Sequence, residues 1–358
     1  MLRPPVKFKG AVLYELRRPL QLRDGIETPA LGPRQVLVKL AYSGVCRSQL
    51  MEVRGLRGPD RYLPHLLGHE GSGIVLDVGS EVEKVHEGQE VILGWIKGKG
   101  KDAPGSQFRL GHEIINAGSI TTFNEYALVS ENRCVPLPEG VPMDVAVLFG
   151  CAVPTGAGIV INDIRPPAGT TLAVFGLGGV GISALMATKL FHCGLVVAVD
   201  VSKEKLAVAH EFGATHTIDS ETEDPVEIIR NLTGGKGVDF AVEASGLPRV
   251  IEIAFKSVRR GGGVCIFASH PAYGEEIRLD PYELICGKQI RGTWGGASDP
   301  DLDIPRFAEL YRQGRLPLEK LITKRYPLER VNDALDDLEA MRVGRPLIEI
   351  DPSVGRLK

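Results

Sequence analysis

Apolar residues recur along this chain with two different rhythms, and the change falls near residue 156. Before it, short apolar runs sit between glycine, proline and charged positions: Val36-Leu37-Val38-Lys39-Leu40, Gly73-Ile74-Val75-Leu76-Asp77-Val78 and Glu90-Val91-Ile92-Leu93. Runs this short, bounded by turn formers, predict β-strands. After it, apolar runs alternate with longer stretches in which apolar side chains return every three or four positions. That pattern predicts helices over 181–192, 203–212, 224–232 and 247–258, and strands over 171–175, 195–200, 238–243 and 263–268. A last strand, Gln289 to Trp294, completes the set, with Trp294 expected in the core. Strands alternating with helices specify a parallel sheet covered on both faces, so the fold class is α/β. The tail predicts two helices, near 304–313 and 329–342, and the short strand Leu347-Ile348-Glu349-Ile350. At 358 residues the chain is too long for one ordinary core. A compact arrangement returns the tail to the first region, giving one domain from 1–155 with 297–358 and a second over 156–296.

The second domain opens on the chain's most informative stretch, Thr170-Thr171-Leu172-Ala173-Val174-Phe175-Gly176-Leu177-Gly178-Gly179-Val180-Gly181. An apolar strand enters a G-x-G-x-x-G turn and a helical pattern leaves it. Gly176 permits the tight turn, Gly178 lets backbone N–H groups approach a pyrophosphate, and Gly181 lets the helix pack on the strand. Leu177, Gly179 and Val180 complete the turn, whose helix N-terminus offers unpaired N–H groups and the positive end of its dipole to an anion. The next strand, Leu195-Val196-Val197-Ala198-Val199, ends in Asp200, 19 residues past Gly181, where a carboxylate accepts hydrogen bonds from the adenosine ribose. A lone glycine motif is weak in a chain with 43 glycines; strand, turn, helix, strand and acid together are strong. The carboxylate also selects NAD, because it would repel the extra phosphate of NADP. Lys205, one helical turn on, either hydrogen-bonds the ribose edge or is a solvated surface lysine.

Composition narrows the classes. The net charge of −3 gives no electrostatic footprint for nucleic acid. The short basic run Lys97-Gly98-Lys99-Gly100-Lys101 reads as a surface loop. No 18-residue apolar span predicts a membrane segment, and the start Met1-Leu2-Arg3-Pro4-Pro5 lacks the apolar core of a signal peptide. Six cysteines without close pairs suit a reducing, cytoplasmic setting rather than a disulfide framework.

Four ordered motifs now carry a resemblance: Ser43-Gly44-Val45-Cys46-Arg47-Ser48, Gly68-His69-Glu70-Gly71-Ser72-Gly73, Gly150-Cys151-Ala152-Val153-Pro154-Thr155-Gly156, and the glycine turn. From about Lys9 to Ile350 the chain resembles the zinc-dependent alcohol dehydrogenases of the medium-chain dehydrogenase/reductase superfamily. The resemblance implies a GroES-like β-barrel catalytic domain beside a Rossmann domain, with the active site in the cleft. It implies that Cys46, His69 and Cys151 are ligands of one catalytic zinc, a set that leaves a fourth position open. It makes Glu70 an acid near the metal, Arg47 a pyrophosphate contact, Ser48 the hydroxyl that takes the substrate proton, and Trp95 an aromatic wall of the substrate pocket. It also implies a small-molecule alcohol or carbonyl substrate and a homodimer or homotetramer.

The chain departs from its relatives in places. Many hold a second, structural zinc on four cysteines, but Ile96 to His112 contains none, so one zinc per chain is expected. Met51 stands where some members end a proton relay with histidine. Gln49 replaces an aspartate that orients the histidine ligand. Arg345 is a displaced candidate for a basic pyrophosphate contact. A second Gly-His-Glu, at Gly111-His112-Glu113, lacks the Gly-x-Gly entry that follows Glu70 and reads as loop structure. The reading is therefore a zinc-dependent NAD(H) oxidoreductase. Its rivals are a zinc-free quinone or enone reductase of the same superfamily, which lacks such ligands, and a non-catalytic NAD-binding protein, which needs no Ser48. An enzyme acting on a glutathione–formaldehyde adduct also stays open.

Overall fold

A computed structural model describes residues 5–354, and the chain divides into two compact units. One runs up to Cys151 and takes back Asp299–Arg312 and the segment from Leu318 onward; the other comprises Ala152–Ser298 and Gln313–Pro317.

The first unit is all strand at its centre. Five strands close a barrel in the order Lys7–Leu13, Gln21–Glu27, Gln107–Leu110, Glu113–Asn116, His65–Leu66. Alternating side chains fill it: Phe8, Ile26, Leu66, Phe108 and Ile115 are buried together, and the Phe8 and Phe108 rings meet edge to face at 5.3 Å. Burying each such side chain contributes about 1.5–3 kcal/mol. A second, seven-stranded sheet is built on the long strand Gln35–Gly44, which pairs with Gly71–Val78 on one side and with Arg345–Glu349 from the chain's far end. The register Ser43↔Gly71 and Ser43↔Ile348 brings three distant stretches of sequence to one spot.

The second unit is the doubly wound sheet. Its six strands are all parallel, in the order His216–Asp219, Leu195–Asp200, Thr171–Phe175, Phe240–Glu243, Val264–Phe267, Gln289–Gly292, which by chain position is 3-2-1-4-5-6. That is the Rossmann order, with the strand order reversing beside Thr171–Phe175. Its central strands are buried on both faces, which is why they read as unbroken apolar runs. Helix starts follow local chemistry: the Ser202 hydroxyl accepts the Lys205 N–H to begin Lys203–Phe212, and Asp224 does the same for Pro225–Leu232. Gly213, at φ 120°, ends the first of these.

Two expectations need correction here. The last strand stops at Gly292, and Trp294 is 77% exposed rather than core. The cause is local: Gly295 and Gly296 both take positive φ and turn the chain just beyond it. The edge strand His216–Asp219 is an addition to the strands read from the sequence. Among the described residues no single helix is long and apolar enough to cross a membrane.

Candidate active site

Three loops of the first unit converge on one cluster. Cys46 follows the strand Gln35–Gly44 and caps the helix Arg47–Val53; His69 lies just before Gly71–Val78; Cys151 ends the turn Val147–Gly150. Gly68 holds φ at 94°, and a β-carbon there would collide with Thr122 and the Phe123 backbone, so the turn into His69 requires glycine. One ligand atom from each of Cys46, His69 and Cys151 lies within 4.8 Å of the others. His69 Nδ1 lies 2.6 Å from the Gln49 side-chain nitrogen, whereas its Nε2 is buried without any partner. Two sulfurs and an unclaimed imidazole nitrogen at this separation fit a zinc ion, with a coordination position to spare. The two thiols share a hydrogen bond, which holds Cys46 well below the usual thiol range and, with burial, pushes Cys151 up.

Behind the cluster sits a buried ion pair. Glu70 is fully buried, and the Arg345 guanidinium, itself 5% exposed, contacts its Oε1. Burial pushes the Glu70 carboxyl up, with Arg345 and His69 partly offsetting it. Burial opposes the charge of Arg345 too, but Glu70 and the two cysteines more than offset it and raise its pKa. Glu70 Oε2 and Arg345 Nε remain without partners. Glu70 fits only because its neighbours are glycines: a β-carbon on Gly44 would stand 2.6 Å from the carboxylate, and one on Gly150 would stand 2.7 Å from the Glu70 Cβ. Arg345 is thereby corrected: its guanidinium belongs to Glu70 and is buried, not presented to a pyrophosphate. A charged residue opening an otherwise apolar strand, Arg345-Pro346-Leu347-Ile348, was the available signal that it needs a buried partner.

The other candidates of this unit lie on the same elements. Arg47, exposed, and Ser48, half-buried, open the helix that Cys46 caps, and Ser48 Oγ accepts a 3.5 Å bond from Arg57 Nη1. Met51 is buried on the same helix. Trp95 is half-buried two residues past the strand Glu90–Leu93, and its carbonyl accepts a bond from Arg133. Gly94, beside it, packs against Gly150, the neighbour of Cys151.

In the second unit the glycine turn is shaped by close approaches at two of its motif glycines. Gly176 takes φ 87°, and a β-carbon there would lie 2.9 Å from the Ser245 nitrogen. A β-carbon on Gly181 would collide with the Gly176 carbonyl, so that glycine sets the distance from helix to strand. At Gly178 a β-carbon would meet nothing within 4 Å, so packing within the protein does not demand glycine there. The helix Gly179–Thr188 starts at this point, with Val180 in its first turn. Asp200 is buried at the end of its strand; one oxygen accepts the Leu177 N–H at 2.5 Å and the other the Ser202 N–H at 2.9 Å. The acid thus ties the second strand to the turn. Lys205 is half-buried on the following helix.

Comparison with known proteins agrees with both halves. Residues 32–139 match the family model "Alcohol dehydrogenase GroES-like domain", and residues 179–312 match "Zinc-binding dehydrogenase". The S-(hydroxymethyl)glutathione dehydrogenase of Saccharomyces cerevisiae is 30% identical over 365 residues, covering 93% of this chain and 94% of that one. The chain belongs to the zinc-type alcohol dehydrogenases of the medium-chain dehydrogenase/reductase superfamily. Among solved structures it is similar to an alcohol dehydrogenase zinc-binding domain protein from Burkholderia ambifaria, at 31% identity and a TM-score of 0.88, covering 96% of this chain and 99% of that one. Benzyl alcohol dehydrogenase from Acinetobacter calcoaceticus matches with the same TM-score and the same coverage of each chain, at 29% identity.

This chain lacks cysteine between Ile96 and His112, and carboxylates organise the start of that stretch. Glu131, 1% exposed, accepts the N–H groups of Glu83 and Lys84 on one oxygen, at 2.9 and 3.0 Å, and that of Lys101 on the other, at 2.6 Å. Asp301 accepts the Lys99 N–H and pairs with Lys84 at 2.6 Å. The second Gly-His-Glu lies at the far end of that stretch, with His112 exposed in the turn between Gln107–Leu110 and Glu113–Asn116. A further trio, Glu52, Asp60 and His65, also gathers ligand atoms within 4.8 Å. There both ring nitrogens of His65 are engaged, one by Asp60 and one by the Leu66 carbonyl.

Proposed function

We propose that this oxidoreductase is a zinc-dependent, NAD-linked dehydrogenase that interconverts an alcohol and its aldehyde or ketone. The observation that carries the proposal is the cluster in which Cys46, His69 and Cys151 converge while His69 Nε2 is left buried and unclaimed. Zinc, when bound, supplies a Lewis acid for the substrate oxygen, and NAD carries the hydride.

The chain's own residues hold and orient. Cys46, His69 and Cys151 form the zinc site, with Glu70 and Arg345 fixing the floor beneath it. The hydroxyl of Ser48 takes the proton of the alcohol, and Trp95 shapes the substrate pocket. The turn Gly176–Gly181 receives the pyrophosphate, which Arg47 also contacts, and Asp200 receives the ribose, with Lys205 at its edge. Asp200 favours NAD over NADP by charge repulsion. The zinc-free and non-catalytic alternatives each leave this cluster without a purpose.

The test is a panel of alcohols and aldehydes followed by NADH absorbance, with zinc removed by chelation and then restored. The names of the relatives put an aromatic alcohol and a glutathione–formaldehyde adduct in the panel. Turnover that survives complete metal removal would overturn the zinc reading, and faster turnover with NADP than with NAD would overturn the role of Asp200. Asp200→Ser should narrow the preference for NAD.

A further inference from the structure

Gln49 is buried between two partners that make opposite demands. It is 2% exposed and stands third in the helix Arg47–Val53. Its side-chain oxygen accepts the Cys46 N–H at 3.0 Å, closing the helix cap, and its side-chain nitrogen lies 2.6 Å from His69 Nδ1. A primary amide has one accepting end and one donating end. With the oxygen on Cys46, the amide nitrogen donates to Nδ1, and the neutral ring must carry its proton on Nε2. Nε2 is the nitrogen left for a metal, and a metal needs its lone pair.

Turning the amide over does not solve the conflict. Nδ1–H would then find an acceptor, but the amide NH2 would face the Cys46 N–H, donor against donor, and the cap would be lost. In either orientation one buried pairing is wrong once His69 binds through Nε2. A carboxylate would accept from both neighbours at once.

We propose that Gln49 is a positioning residue that holds down the zinc affinity of the Cys46–His69–Cys151 cluster, so that this site loads and releases its metal more readily than a carboxylate partner would allow. The proposal rests on the zinc reading given above. Outer partners of histidine ligands typically alter metal affinity by about 10- to 100-fold.

The experiment compares metal-free wild type with Gln49→Glu, which keeps an acceptor for the Cys46 N–H, by competition for zinc against a chromophoric chelator. Gln49→Glu should bind zinc about 10- to 100-fold more tightly. Equal or weaker binding by the variant overturns the role of Gln49 while leaving the zinc reading intact, and no zinc binding by either protein overturns both. A second measurement needs no variant: nitrogen NMR of histidine-labelled, zinc-free wild type should show the His69 proton on Nε2. A proton on Nδ1 overturns the proposal.

Discussion

The cysteine–histidine cluster and the lobe running from Ile96 to Asp102 both hold polar groups away from water, and they do so in opposite ways. In the lobe the carboxylates are fully engaged. The Glu131 carboxylate is filled by three backbone N–H groups, Asp301 pairs with Lys84 and with the Lys99 N–H, and Asn132 ties the loop through the Gly98 N–H and Asp102. In the cluster demands are left open: His69 Nε2, Glu70 Oε2 and Arg345 Nε are buried with no partner. Buried polar groups in folded proteins are nearly always paired, and an orphan costs about 1–3 kcal/mol. Three such orphans gathered beside two thiols are what sets the cluster apart and what supports the proposed zinc site. The Glu52–Asp60–His65 trio sits on the completed side of this division, because the His65 ring has no free nitrogen.

Each of the following changes strikes one side of that contrast. Cys151→Ser should have the largest effect, removing zinc and turnover together, because a hydroxyl is a poor substitute for thiolate on zinc; metal analysis alongside the NADH assay checks it. Ser48→Ala should lower turnover by roughly 10²–10⁴-fold while zinc content and NAD binding stay as they are. A fully active variant would take the hydroxyl out of the reaction. Arg345→Met should destabilise the fold by about 3–5 kcal/mol in urea unfolding, since it strands the buried charge of Glu70. Glu131→Gln belongs to the other region. It turns an NH2 group toward backbone donors and should cost about 1–3 kcal/mol, with zinc affinity and turnover unchanged. Loss of zinc in this variant would mean that lobe and cluster are not separate structures.

The same variant carries the smallest and most specific prediction, in acid. Burial pushes the Glu131 carboxyl up, but the N–H groups of Lys101, Glu83 and Lys84 more than offset this and leave it below the ordinary 4.5. A carboxyl lowered in the folded state contributes stability that is present above pH 4.5 and lost as pH falls through its lowered folded value. The stability gap between wild type and Glu131→Gln should therefore shrink as the pH drops below that point. A gap that stays constant into acid, as far as both proteins remain folded, would mean that the carboxylate charge does not matter here.

The doubly wound unit was legible from the sequence because its signals are local. Leu172 to Phe175 and Val196 to Val199 are buried on both faces and stay apolar throughout, and the glycine turn lies between them in one short stretch. The barrel was less legible. His65–Leu66 is two residues long, and Gln107–Leu110 and Glu113–Asn116 are four each, too short for alternation to rise above chance. Their strand character comes from partners far away in sequence. The cluster joins positions 46, 69 and 151, so spacing alone says nothing, and only the motifs around each residue pointed to it. The partner of Arg345 is hidden from the sequence for the same reason: Glu70 lies 275 residues away, and sheet register alone brings them together. Large apolar residues are usually core, but two glycines with positive φ follow Trp294 and the chain leaves the sheet there.

The clamp at Glu131 changes what can injure this enzyme. Thiolate sites can be stripped by chelators and carried up the oxidation ladder to sulfenic acid and beyond. A carboxylate gripped by backbone N–H groups presents neither a metal to extract nor a sulfur to oxidise. Between Ile96 and His112 there is no cysteine for peroxide to reach. At the proposed zinc site, by contrast, Cys46 and Cys151 offer sulfur that an oxidant can attack. If the proposed zinc site is inactivated by either reagent, the lobe should be left standing.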